Sequence, residues 1–406
     1  MTDPRPGAEL GQWLAAHARP VAVPDDDADG LEDGVAAWVR AVRDARVVAL
    51  GPTVAGTSDL AQLVGRILDG LVDDPVHGAE VRTLALQTSE SATTMLDEQV
   101  RRGAVSSDAL DVLGSWSWNT RDVLDLVRRL AEQPDPVRVV GIDPRKPAGA
   151  VRTVGRFLRT AAPDVLPSVA ESFAELALGH GNAGTRTAVE EVRARLDRDV
   201  PDLVAATSPE DYTDAVRQAR FLVRAAELAA TPPSGADAVA GRLMAETVIE
   251  ALDASGPEGR LVLWAHADHV VVRDDPPTLG AHLREHLGDA YRALLLTAGT
   301  GTARAVRRRR LFGPARTPST HRLGAPPDDA LEAVLLGAVA RDHVLDLRVP
   351  DAPPAVTAWA ESVVPRRSVG DEVSAAATAR TVVPCRPGVE ADGVAVVGTV
   401  HPARVR

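Results

Sequence analysis

Short apolar runs rich in β-branched residues alternate along this chain with stretches whose apolar positions recur every three or four residues. RVVALG (Arg46–Gly51) precedes DLAQLVGRILDGLV, VRTLAL (Val81–Leu86) precedes a helical pattern through Met95 and Val100, and VRVVGID (Val137–Asp143) precedes GAVRTVGRFL. Four further runs, LVLWAH, YRALLLT, HVLDLRV and GVAVVGT, lie towards the end. Strands apolar along their whole length must be covered on both faces, so the pattern predicts an α/β fold with a parallel sheet flanked by helices.

Between Pro147 and Gly259 the strand signal stops and four helical patterns follow: VAESFAELAL, TAVEEVRARL, YTDAVRQARFLVRAAELAA and ADAVAGRLMAETVIEAL. ATPPSG (Ala230–Gly235) breaks the last two apart. This organisation predicts an N-terminal extension with an acidic linker (1–34, including VPDDDADGLEDG), a first α/β half (35–146), an all-helical insertion (147–259) and a second α/β half (260–406). A large helical insertion in an α/β chain is expected to form a lid over the C-terminal strand ends, where such sheets bind ligands.

Composition narrows the function. The 406 residues carry a net charge of −12, which argues against nucleic acid or an anionic membrane as partner. The basic stretch RAVRRRRLFGPAR (Arg304–Arg316) is a local exception, readable as a solvated loop or as a holder for an anionic substrate. No apolar run is long enough to span a membrane and the start lacks a secretory signal, so a cytoplasmic protein is expected. The single cysteine, Cys385, excludes an internal disulfide. Lys146 is the only lysine, and the Arg-, Ala-, Val- and Pro-rich composition points to a GC-rich genome such as an actinomycete's.

The chemistry concentrates in WAHADHV (Trp264–Val270). His266 and His269, three residues apart at a strand end, can face one cleft, and a pair of imidazoles suits proton transfer or metal binding, with a structural role as the plainer alternative. Asp268 between them raises a metal site as an alternative, but no HExxH, DxH or HxH motif supplies the remaining ligands. Neither metal nor cofactor is expected.

WAHADHV resembles the WAHNxHV segment of the erythromycin esterase-like family, and other segments resemble that family in order. LMAETV is similar to its MAENV helix, LGAHLREHLGDAYRALLLTAGTG to its GxxLRERFGDxYxxxGFTFGEG segment, and WSWNTRDVLDLVRRL to its WPWRTxEVLxLxxWL helix. VGIDP and ADGVAVVGTVHPAR are similar to its GFD strand end and its closing FDGVIFVxxTTPAR. The resemblance implies a cleft in which water opens a macrolide lactone. It also implies that a glutamate and a histidine of a GEATHGT-like turn, an arginine, a second glutamate and the two HNxH histidines serve this reaction.

Position by position, the first-strand turn here reads LGPTVAGT. Gly51, Gly56 and Thr57 keep the turn, but Pro52 stands at the glutamate position and Ala55 at the histidine position. Val64 stands at the arginine position, Gln87 at the second glutamate and Thr300 at the acidic residue of GEG. The two histidines remain while the opposite wall has lost its titratable groups, so the family's hydrolysis is not expected.

Glu90 is a candidate replacement base, with a helix-start charge as the alternative. Arg66, Thr53, Thr57, Trp116 and Trp118 are candidate substrate contacts, and Asp143 could anchor Arg145 or line the pocket. The leading reading is an actinomycete natural-product enzyme, lyase- or cyclase-like. In it His266 and His269 promote elimination or cyclisation of a bulky hydrophobic polyketide or peptide intermediate. The alternative is a non-catalytic binding or scaffold pseudoenzyme, with a protein partner left open, and residual ester or lactone hydrolysis ranks third.

Overall fold

The apolar runs become strands in the computed structural model, which describes residues 7–21, 33–72, 81–307, 317–373 and 381–406. The acidic linker expected over Val23–Gly34 and the basic loop beyond Arg307 fall largely outside these residues. Twelve strands are described: β1 (Arg19–Pro20), β2 (Val47–Pro52), β3 (Val81–Ser89), β4 (Arg138–Asp143), β5 (Arg260–Trp264), β6 (Tyr291–Arg307), β7 (Ser319–Leu323), β8 (His343–Asp346), β9 (Val364–Arg367), β10 (Glu372–Val373), β11 (Val382–Cys385) and β12 (Gly393–Val400).

The main sheet runs β1-β8-β12-β6-β2-β5-β3-β4, with β7 and β10 also pairing with β6. From β12 to β4 all neighbours are parallel. HVLDLRV departs from the parallel expectation: β8 lies antiparallel to β12, as does β1 to β8. The central strands β2 and β5 are apolar and buried almost throughout, as parallel strands covered on both faces must be. The chain steps outwards from β2 through β3 to β4 and later returns to place β5 and β6 on either side of β2. Such a reversal leaves a crevice above the carboxyl ends of the strands, where the loops part in opposite directions.

Six helices, Ala148–Ala161, Leu166–Ala177, Ala183–Arg198, Val200–Ala206, Pro209–Ala230 and Ala236–Asp253, fill the strand-free region. The first five share a core of their own that includes Phe157, Phe173, Leu196, Phe221 and Leu222. The sixth turns Ala240, Met244, Val248 and Leu252 onto Val47, Ala49, Leu261 and Leu263 of the sheet. Among the described residues no helix is long and apolar enough to cross a membrane.

Candidate active site

Strand register sets the level of the site. Leu50 of β2 and Leu86 of β3 both pair with Trp264 of β5, so Gly51, Gln87 and Ala265 leave the sheet side by side. Ser89 pairs with Asp143, which brings the end of β4 to the same edge. The β2 turn passes through Gly56 at φ 67°, where an added Cβ would collide with the Arg304 carbonyl oxygen. At Gly51 a Cβ would strike Val270 of the histidine turn.

Three strands hold that turn. Ala265 N donates to Leu50 O (3.3 Å), His266 N to Gln87 Oε1 (2.8 Å), and the buried Tyr291 hydroxyl to Val270 O (2.5 Å). Gln87, at the lost glutamate position, thus serves as the acceptor that orients the retained histidine. Trp118 Nε1 donates to Gln87 O (3.1 Å), and its ring meets Trp264 edge-on at 5.0 Å.

Above this edge lies a cavity of about 400 Å³. His266, His269, Gln87 and Trp118 line it, with Pro52 and Ala55 forming the wall after β2. Asp143, Arg145 and Lys146 border it after β4; Ser368 and Asp371 reach it from beyond β9. Thr57 also lines it, its Oγ1 donating to Val54 O at 3.4 Å. No residue of the six helices over 148–253 lines this cavity, so the expected lid does not wall it. Ala403 does, because Arg404 is drawn to Asp122 (2.6 Å) and carries the C-terminal segment inwards.

The two histidines differ in their surroundings. His266 Nδ1 accepts from Asp268 N at 3.2 Å, which leaves the ring proton on Nε2, a buried donor near the Val369 backbone. Burial holds this ring below the ordinary histidine range. Burial, then the neighbouring His266 and Arg145, lowers His269 to about 4. Both rings are therefore neutral at pH 7: His266 is presented as a hydrogen-bond donor and His269 as a base.

Asp268 is held beneath them. Its oxygens accept from Arg366 Nη2 (2.5 Å) and Ser368 Oγ (2.6 Å), and Oδ2 lies 3.5 Å from His266 Nδ1. Burial opposes ionisation of this carboxyl, but His266, Arg366 and Ser368 outweigh it and bring it down to about 2. Arg366 is fully buried, so Asp268 is its counter-charge rather than a free metal ligand. Among the described residues no three His, Cys, Asp or Glu side chains converge as a metal site would require.

Several sequence candidates lie elsewhere. Glu90 does not line the cavity; it turns towards the helical region, 4.0 Å from Arg224, with Oε2 buried and without a hydrogen bond. Burial, against the pull of Arg224, raises its carboxyl to about 7. Arg66 reaches Asp33 (3.4 Å) on the outer side of its helix. Thr53 is sealed against Thr297 (2.8 Å), Trp116 packs over Gly56, and Val64 is core.

Conversely, sequence reasoning missed Arg366, Ser368, Asp371, Ser115 and Ser117. No local spacing signals them, because they approach the histidine turn from about 100 positions away or more. Asp143 and Arg145 are paired at 3.4 Å beside the cavity.

Comparison with known proteins follows this geometry. The sequence profile of the family described as erythromycin esterase matches residues 77–400. In structure the chain is similar to a Bacillus cereus protein (TM-score 0.76, 18% identity, all of both chains) and to a succinoglycan biosynthesis protein (TM-score 0.76, 15% identity, 98% of each chain). It is also similar to a mutant of the erythromycin esterase EreC in its open conformation (TM-score 0.66, 16% identity, 90% of this chain and 94% of that one). At these identities the likenesses show the fold alone. No curated protein matches in sequence.

Proposed function

The chain belongs to the erythromycin esterase family, and within it we propose a proton-transfer enzyme of lyase or cyclase type rather than a hydrolase. The observation that supports this most is the pairing of two neutral imidazoles on one cavity wall with Pro52 and Ala55 on the β2 wall. His269 takes a proton from a carbon or hydroxyl of a carbonyl-bearing substrate. The electron pair moves towards the carbonyl oxygen, and the developing charge accepts a hydrogen bond from His266 Nε2. In an elimination the carbonyl re-forms as the β-carbon–oxygen bond breaks, and His269 gives its proton to the departing hydroxide, which leaves as water. In a cyclisation the deprotonated hydroxyl adds to the carbonyl carbon, and His269 gives its proton to the oxygen that carries the charge. The family's water attack lacks its glutamate and histidine here, and a site without an activated water would protect a labile ester. The cavity suits a bulky, largely apolar compound such as a polyketide or peptide intermediate. The lid role of the helical insertion stays a proposal too, acting on substrate entry and not on the cavity wall.

A second reading, a binding protein, draws on Gln87: its amide now serves the fold by holding the His266 backbone. One experiment separates the readings. Wild type and His266→Ala/His269→Ala meet a panel of lactones, hydroxyketones and thioester intermediates in D2O, followed by mass spectrometry. Loss of water, or deuterium uptake beside a carbonyl, by wild type alone is expected. Gain of water would return the chain to hydrolysis, and ligand retained unchanged by both proteins would favour binding.

A further inference from the structure

Behind the cavity wall lies a carboxylate that does not line the cavity. Glu332 stands in the first turn of the helix Leu331–Ala338, wholly buried where that helix packs on β6 and β9. Its Oε1 accepts from Thr297 Oγ1 of β6 (2.5 Å) and from Arg367 N at the end of β9 (3.0 Å). A hydroxyl has one proton to give, and Thr297 gives its own to the carboxylate. Thr53 Oγ1, 2.8 Å away, is therefore the donor to Thr297. The chain Thr53–Thr297–Glu332 runs in one direction and ends on a negative charge, which strengthens each of its hydrogen bonds. Arg367, buried beside it, supplies the opposite charge, and its guanidinium donates to the carbonyls of Ala298 (2.9 Å), Gly299 (2.6 Å) and Gly324. Packing alone does not call for a charge here, because hydrocarbon of the same volume is commonly as stable as a buried ion pair.

The two ends of this network are the two backbone stretches beside the histidine turn. Thr53 lies between Pro52 and Val54 of the β2 wall, and Arg367 leads into Ser368 and Val369. These stretches are joined to each other: Val369 N donates to Thr53 O (2.8 Å) and Ala55 N to Val369 O (2.7 Å). The His266 ring lies near the Val369 backbone. Arg366 and Ser368 hold the side chain of Asp268, whose backbone N–H in turn donates to His266 Nδ1.

We propose that Glu332 is a positioning residue for His266: through Thr297 and Thr53 on one side and Arg367 on the other, it fixes the backbone that holds this ring in its Nε2–H form. This rests on the reading of His266 as a hydrogen-bond donor to the substrate.

Selective 15N-histidine labelling reads the tautomer directly, because the protonated and bare nitrogens of a neutral imidazole resonate far apart. The spectrum of His266→Gln assigns the ring. At pH 7 wild type and Glu332→Gln, which keeps the accepting oxygen, are expected to show His266 as Nε2–H alone. Glu332→Leu is expected to lose that single form and show both tautomers. Thr297→Val, which cuts the link to Thr53, is expected to show a smaller share of the second. Wild-type His266 signals in Glu332→Leu or in Thr297→Val would overturn the assignment, and so would a Glu332→Gln spectrum as altered as either. If Glu332→Leu does not fold, Thr297→Val set against Glu332→Gln still decides it. The ring spectrum needs no turnover, so a His266 that responds in a protein converting nothing would sink only the proton-transfer reading. An active protein whose His266 ignores Glu332 would sink only this one.

Discussion

The cavity wall at His266 and His269 and the helix junction at Glu90 are two buried places, each holding groups displaced from their ordinary titration ranges. His269 is lowered to about 4 and Glu90 raised to about 7, in both cases chiefly by burial. Yet His269 borders open space, whereas Glu90 faces Arg224 across the packing of helices Glu90–Arg101 and Pro209–Ala230. A perturbed acid or base marks a functional candidate only when it can meet a ligand. The junction has the displacement without the access to the cavity.

The largest effect should come from the ion pair beneath the histidines. Asp268→Asn leaves the Arg366 guanidinium buried without its counter-charge, so stability should fall by about 3 kcal/mol in urea unfolding. A change below about 1 kcal/mol would mean that Arg366 finds compensation elsewhere.

The two displaced groups should oppose each other between pH 4 and 7. Glu90 has a folded pKa above its unfolded one, so its stabilising contribution is complete below about 4.5 and is lost as pH rises through about 7. Glu90→Gln should remove this loss, gaining roughly 2 kcal/mol relative to wild type at pH 8 and nothing at pH 4. His269 is the reverse: its contribution is complete above about 6.5 and lost as pH falls through about 4. His269→Gln should therefore hold its stability better than wild type from pH 6 to 4, by roughly 2 kcal/mol. Unfolding curves at four pH values check both signs, and parallel slopes for the two variants would break the contrast.

On the proton-transfer reading, the same low value predicts a rate that stays level from pH 8 to about 5 before falling. A rate that instead falls between pH 7 and 6 would show that His269 titrates near its ordinary range in the free enzyme. The smallest effect belongs to Gln87→Ala, which removes the acceptor for His266 N and should cost about 1 kcal/mol. Its Gln87→Glu counterpart restores a carboxylate to the wall and should retain most of that stability.

Much of the architecture follows from the sequence alone. A strand buried on both faces must be apolar throughout, and a helix lying on a sheet must be apolar every third or fourth position. RVVALG, VRTLAL, LVLWAH and the helices from Ala148 to Asp253 therefore announce themselves locally. The histidine turn is legible for the same reason, since residues at a strand end inherit the level of the strand. The antiparallel placement of HVLDLRV was not legible, because a buried antiparallel strand has the same apolar pattern as a parallel one.

Only the tertiary structure decided which side chains share the cavity. Asp268 meets an arginine 98 residues away and His266 a glutamine 179 residues away, and Ser117 meets Asp371 across 254 residues. Glu90, three residues beyond Gln87, turns instead to the helices. Periodicity specifies which face of an element is buried, but not which distant face it is buried against. The partners of a side chain are set by the order of strands in the sheet and the packing of helices upon it, and these arise from the whole chain at once.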